Sequence, residues 1–285
     1  MSAKRTQIVD AAHQLFIEKG FALTSIQDIL DKAGIAKGTF YNYFNSKNEC
    51  LRAILESIAE KVDQKRRELA VGKEDSNQSV FIEQMAVRMN MNRQHHLLAL
   101  FESVSLYDDA ELKAFMERQH RTELRWVTKR LTAIYPKKAT SIALDHAVML
   151  MGIIHHMMHV WKLGTTDEIA TEKIIRFSLE RVKSMVDKQL QDKEAFLPEN
   201  WLGTSDQDVI PDLTIIIARL DKLRSKVNAK DKQHELIDFL ITELQANHPR
   251  TFLLEGVLLS LEKSFHQTEL EQEVRPIVQM TWKLL

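Results

Sequence analysis

Residues 24–47 read TSIQDILDKAGIAKGTFYNYFNSK, and the punctuation of this stretch decides the fold class. Thr24 followed three residues later by Gln27 has the form of a capping box, in which a hydroxyl and an amide satisfy backbone groups at a helix start. Ile26, Ile29, Leu30 and Ala33 then recur at i, i+3, i+4 and i+7, the spacing of one buried helical face. Gly34 ends that helix, because glycine accepts the left-handed backbone that stops a helix at little steric cost. A second short helix is expected from near Ala36. Successive residues lie about 100° apart around a helix, which groups Ala36, Phe40, Tyr43 and Phe44 toward a core and leaves Lys37, Gly38, Tyr41 and Asn42 outside. Ser46 and Glu49 repeat the S-x-x-E start signal, so a new helix begins with Lys47 in its first turn.

Upstream, Ile8, Ala11, Ala12, Leu15 and Phe16 form a third apolar stripe, closed by Gly20. Three short helices around a shared core make a helix-turn-helix unit, and its polar residues suit a phosphate backbone. Lys4, Arg5, Lys37 and Lys47 offer charge, while Thr24, Tyr41 and Tyr43 carry hydroxyls able to donate to phosphate oxygens. Gly38, lacking a side chain, lets the helix start approach a duplex closely. Over residues 1–48 the basic side chains are Lys4, Arg5, Lys19, Lys32, Lys37 and Lys47 and the acidic ones Asp10, Glu18, Asp28 and Asp31, so 6 − 4 = +2. The whole chain carries a formal net charge of -1, which excludes a general polycation and leaves one local basic patch per chain.

The run A-G-I-A-K-G-T-F-Y-N-Y-F-N-S-K, residues 33–47, closely resembles the DNA-binding domain of the TetR/AcrR family of bacterial transcriptional regulators. That family shows an A-G-V-S-like turn, then G-T-[FL]-Y-x-Y-F, then a Ser-Lys helix start. The resemblance implies that Thr24, Ala36, Lys37, Gly38, Thr39, Tyr41, Asn42, Tyr43 and Lys47 lie at or near DNA. Ala36 stands where Ser is common, Leu30 where a small Ala is usual and Cys50 where Leu is usual; the first removes a hydroxyl contact and the others change packing. The motif covers about residues 3 to 55, and family members share only a helical architecture beyond it.

At 285 residues the chain is too long for the reading unit alone. Its one cysteine, Cys50, excludes an internal disulfide framework and a cysteine-rich zinc site. No charged-then-apolar leader precedes the first helix, and the most apolar run, Ala147 to Trp161, is too short to span a bilayer, so a cytoplasmic protein is expected. With Gly and Pro scarce and apolar residues at helical spacing almost throughout, the chain reads as all-α. Three parts are expected: a helix-turn-helix domain over 1–48, a helical ligand-binding and dimerisation domain over 49–196, and a linker with a helical extension over 197–285.

Within the middle part a long helix runs from Ser46 to about Leu69. A Met-rich one follows the Gly72–Ser79 break toward Leu106, and another runs from Asp108 and Asp109 through Trp126 to Ile134. The most apolar helix spans Lys137 to Leu163, and Asp167 opens the next. These last two resemble the pair that forms the family's four-helix dimer interface, and an almost wholly apolar helix must in any case be covered on all sides. Two heads about one duplex turn (~34 Å) apart would read a near-palindromic operator. Family analogy makes the middle part the effector pocket, and Met85, Met89, Phe101, Trp126, Met151, Met158 and Trp161 are its candidate lining, since thioethers repack around varied ligands. His155 and His159, at i and i+4 beside His156, could share a metal, but two imidazoles are an incomplete site. No glycine-rich phosphate loop, nucleophile motif or cofactor signature is present. The expected function is a homodimeric repressor released from double-stranded operator DNA by a small apolar or amphipathic effector, with no enzyme activity, no cofactor and no membrane. A helical protein-interaction adaptor and a metal-binding helical protein using His155 and His159 are the alternatives.

Overall fold

The computed structural model describes residues 3–95, 110–136, 142–165, 167, 169–189, 195–198, 201–203 and 211–285. Every regular element among them is an α-helix: α1 (Ala3–Lys19), α2 (Ile26–Ala33), α3 (Lys37–Tyr41), α4 (Lys47–Ala70), α5 (Gln78–Gln94), α6 (Ala110–Ile134), α7 (Ala143–Gly164), α8 (Thr171–Gln189), α9 (Leu213–Arg224), α10 (Lys232–Leu244), α11 (Thr251–Ser264) and α12 (Glu271–Leu284). The chain divides into two compact units, residues 2–202 and 203–285.

In the first unit α1, α2 and the first half of α4 pack around Ile8, Leu15, Phe16, Ile29, Phe40, Phe44, Leu51 and Ile54. The same cluster takes in Met91 at the end of α5 and Leu112 and Phe115 at the start of α6, so it runs across residues 48 and 49 without a break. Cys50 is wholly buried in it, and burial pushes its thiol up to about 12, which leaves it a packing group. A second cluster, centred on Phe81, Met85, Val127, Leu150, Ile154, Ile175 and Leu179, joins α5, α6, α7 and α8. Asp167 does not open α8, which begins at Thr171; the Asp167 carbonyl instead accepts a 2.8 Å hydrogen bond from the Trp161 indole. Beyond α8, the buried Asp145 carboxylate accepts hydrogen bonds from the backbone N–H groups of Phe196 and Leu197, and Arg125 donates to the Leu202 carbonyl at 2.6 Å. Those contacts tie the stretch around Phe196, Leu197 and Leu202 to the rest of the first unit.

The second unit is a four-helix bundle with its own core of Ile216, Leu220, Ile237, Leu240, Leu254, Leu258, Leu261, Ile277 and Val278. Glu243 in the last turn of α10 receives Arg250 Nη2 at 2.6 Å, Nε at 3.0 Å and the Arg250 backbone N–H at 2.7 Å. That clamp fixes the turn into α11. Hydrogen bonds from the Arg250 side chain and backbone hold the Glu243 carboxyl down at about 2.

Candidate nucleic-acid interface

Local sequence builds the reading head with one shift from expectation. The box that opens α2 is Ser25 with Asp28, one residue later than Thr24 with Gln27: the Ser25 hydroxyl accepts from the Asp28 N–H at 3.1 Å, and Asp28 accepts from the Ser25 N–H at 2.8 Å. Ser25-x-x-Asp28 fits the same rule as well as the Thr24 pair does, and the tertiary fold chooses between them. Gly34 takes φ 60° and ψ 41°, and its N–H caps the carbonyls of Leu30 and Asp31. Ser46 caps α4 by accepting from Glu49 N–H at 3.1 Å, while the Glu49 carboxylate accepts from Asn45 N–H at 2.7 Å.

The helix between those caps is five residues long and is held by two aromatic anchors. Phe40 and Phe44 are 0% and 1% exposed, with ring centroids 5.9 Å apart, and Arg5 lies 5.1 Å over the Phe44 ring. Ala36, Lys37, Gly38, Tyr41 and Asn42 are exposed, and Thr39 and Tyr43 are half-buried. Ala36 thus faces outward, against its assignment to the core, because it is the N-cap residue, with extended backbone at φ −75° and ψ 152°, and has not yet joined the helical face. At Gly38 an added Cβ would meet nothing within 4 Å and the backbone is ordinary helix, so nothing inside the protein requires glycine there.

Two residues assigned to DNA are used internally. Thr24 is 1% exposed and donates its hydroxyl to the Gly20 carbonyl at 2.8 Å, with the Leu15 carbonyl at 3.3 Å, so it has no hydroxyl to offer a phosphate. Lys47 reaches back from α4 and donates to the carbonyls of Phe21 and Thr24, both at 2.7 Å, and to that of Ala22 at 3.5 Å. Its ammonium also sits 4.4 Å over the Phe21 ring, and burial lowers its pKa. The other head cations divide in the same way. Lys19 pairs with Asp28 at 2.8 Å and Lys32 with Glu18 at 3.0 Å; the hydrogen bond from Lys19 is the first cause that holds the Asp28 carboxyl far below its usual range. Lys37 is exposed and makes no ion pair among the described residues.

In the middle region Met85, Met89 and Met151 are buried in the second cluster, and Met158 is half-buried against it. Trp126 packs on Phe81 at 5.6 Å and lies under the Arg66 guanidinium at 3.7 Å. Trp161 lies on the outer surface, 39% exposed, and so leaves the group of pocket residues; Phe101 falls outside the described residues. Two surface clefts of about 300 and 270 Å³ are lined by Asn45, Ser46, Arg52 and Glu111 and by Lys65, Val87, Asn90 and Glu172 among others, and none of the seven candidates borders them. His155, His156 and His159 are all exposed, with the His156 and His159 rings 6.4 Å apart, and among the described residues no three potential ligands gather for a metal.

A buried polar cluster escaped the sequence reading. Arg66, 5% exposed, makes two hydrogen bonds to Glu123 of α6 at 2.6 and 2.9 Å and one to the Gln84 carbonyl of α5 at 3.1 Å, while the Gln84 amide returns a bond to the Arg66 carbonyl at 2.8 Å. Burial raises the Glu123 carboxyl, but the charge and hydrogen bonds of Arg66, with Arg88 and His120 nearby, outweigh it and leave the pKa low. The only local hint was a charged residue on the apolar stripe of α4, four residues after Val62.

Comparison with known proteins agrees with this geometry. Residues 8–54 match the model of the tetR family of bacterial regulatory proteins. The HTH-type transcriptional regulator YerO of Bacillus subtilis is 25% identical over 275 residues, covering 92% of this chain and 90% of that protein. The HTH-type transcriptional repressor KstR2 of Rhodococcus jostii is 37% identical over 75 residues, 26% of this chain and 37% of its own. A solved TetR-family regulator from Syntrophomonas wolfei superposes with a TM-score of 0.50 at 24% identity, over 65% of this chain and 95% of that one, a likeness of fold. The YerO match spans more residues than the first unit holds and so extends into the second, whereas the solved chain has no counterpart for about a third of this protein. With the head built as its motif requires and no helix among the described residues long and apolar enough to cross a membrane, the chain carries a tetR-family DNA-binding domain over residues 8–54 and is similar along most of its length to an HTH-type transcriptional regulator.

Proposed function

We propose that this regulator is a homodimeric repressor released from its operator by a small apolar or amphipathic molecule. The observation that carries the DNA-reading part is the outward face of α3. There Lys37, Gly38 and Tyr41, with Asn42 at the C-cap, stand exposed on a helix anchored by the buried Phe40 and, just beyond its end, the buried Phe44. A rigid helix with one unpaired cation, a phenol, an amide and a side-chain-free position suits phosphate contact, close approach and base-edge hydrogen bonding.

Dimerisation is supported by the outer surface of α7 and α8. Val148, Met149, Met157, Val160, Trp161 and Phe177 are each 39–48% exposed, an apolar density that a lone subunit would leave wet. Covering it with the same surface of a second copy gives a twofold assembly, and a twofold pair of heads matches a near-palindromic site. Release follows from linkage. An effector that favours a state with mismatched heads weakens DNA binding by as much as DNA weakens effector binding.

Selection of bound fragments from random duplex, followed by affinity titration over a salt series and a screen for compounds that release the fragment, tests the proposal. Log affinity should fall linearly with log salt, by about 0.9 per phosphate neutralised. Asn42→Ala should relax base preference by about 1–3 kcal/mol at one position, and Lys37→Ala should lower affinity on all sequences. A chain that enriches no duplex, or both variants binding as wild type does, would refute the assigned face.

A further inference from the structure

Lys47 has a different task from the one its charge suggests. An ammonium has three donors and no acceptor, and here the Lys47 nitrogen faces three carbonyls of the loop between α1 and α2, that of Ala22 the most distant at 3.5 Å. Two of those contacts are short charge-assisted hydrogen bonds at 2.7 Å, and the Phe21 ring closes the remaining side. The acceptors lie just past the carboxyl end of α1, where the helix dipole favours a cation. Gly20 at φ 81° turns the chain there, and the buried Thr24 hydroxyl ties the loop back to Gly20.

The loop so held is the entry to the reading helices. Its last residue, Ser25, caps α2; α2 ends at the Gly34 turn, and that turn delivers α3. Lys47 itself stands in the first turn of α4, whose far half carries Arg66 into the buried pair with Glu123. A side chain at this junction joins the start of α4 to the loop that leads into α2.

We propose that Lys47 is a positioning residue: its ammonium locks the start of α4 to the α1–α2 loop and so sets the pose in which α3 meets the bases, rather than neutralising a phosphate. This rests on the DNA-reading face proposed above.

The test uses the full chain, its selected operator duplex and an unrelated duplex of equal length, each titrated over a salt series. Lys47→Met keeps the stem over Phe21 and removes the charge and all three donors. Operator affinity should fall about tenfold or more, with affinity for the unrelated duplex and both salt slopes unchanged. If both affinities fall and the slopes become shallower by about 0.9, Lys47 contacts a phosphate and the proposal is overturned. An equal loss on both duplexes with unchanged slopes and a lower melting temperature marks mere fold support and overturns it as well; so does wild-type behaviour. In the wild type, which needs no variant to fold, the Lys47 ammonium nitrogen should show no scalar coupling to phosphorus in the operator complex, and a resolved coupling refutes the assignment. Wild-type protein that binds neither duplex removes the DNA-reading proposal and this one with it.

Discussion

At the scale of single residues, the head separates side chains used inside from positions left open on its surface. Gly38 is the clearest of the second kind, since a methyl group there would touch no atom of the protein. Gly38→Ala should therefore fold normally and melt slightly higher, by about 0.5–1 kcal/mol of helix propensity. If a duplex packs against this backbone, operator affinity should nonetheless drop roughly tenfold or more. Calorimetry and an anisotropy titration on one preparation check both halves; unchanged affinity would place the duplex elsewhere. Thr24 is of the opposite kind. Thr24→Val would remove the buried hydroxyl that donates to the Gly20 carbonyl, so the head should lose stability with no change of salt slope.

Among elements, α4 is the member shared by both clusters of the first unit. Its first half is buried with the head, and Arg66 in its last third is fixed to α5 and α6. Glu123→Ala would leave the Arg66 guanidinium buried without its carboxylate, and a loss of about 3–5 kcal/mol is expected. The pair also sets an acid limit. A carboxyl whose folded pKa is depressed binds fewer protons folded than unfolded. Its contribution is therefore complete above the ordinary carboxylate range and lost as pH falls through the lowered folded value. Denaturant melts across that range should show the wild type losing more stability than Glu123→Gln, which is already weakened at neutral pH. Parallel acid curves would mean that the pair adds nothing net, the outcome a high desolvation penalty would produce.

For the whole molecule, the apolar outer surface of α7 and α8 and the core that the second unit builds for itself are the features that matter. Phe177→Glu places a charge on the α8 part of that surface, at a side chain 41% exposed whose loss opens no core cavity. Sedimentation should show wild-type dimers and variant monomers, with operator affinity falling at least about a hundredfold as bivalent engagement is lost. A variant that stays dimeric would move the interface off this face. The second unit has a core of its own. A chain ending at residue 202 should thus keep its helicity and its duplex binding, as circular dichroism and the anisotropy titration would show.

Much of this protein could be read from local pattern. The Gly34 turn, the Ser46 cap, the buried faces of α1 and α2 and the helical character of the C-terminal extension all follow from capping residues and 3.6-residue periodicity, which act within one or two turns of chain. The motif over 33–47 identified the family for the same reason: each of its residues answers to neighbours a few positions away. What required the tertiary structure is where polar side chains spend their hydrogen bonds. Thr24 and Ser25 are equally good caps on paper, and the carbonyls of Leu15 and Gly20 claim the first. Lys47 meets acceptors more than twenty residues upstream, Arg66 a carboxylate on another helix, and Trp161 a surface that α7 turns away from its own core. Charge and composition name the groups that can pair, but only the folded chain brings distant partners within 3 Å, and that proximity decides whether a cation serves the protein or the duplex.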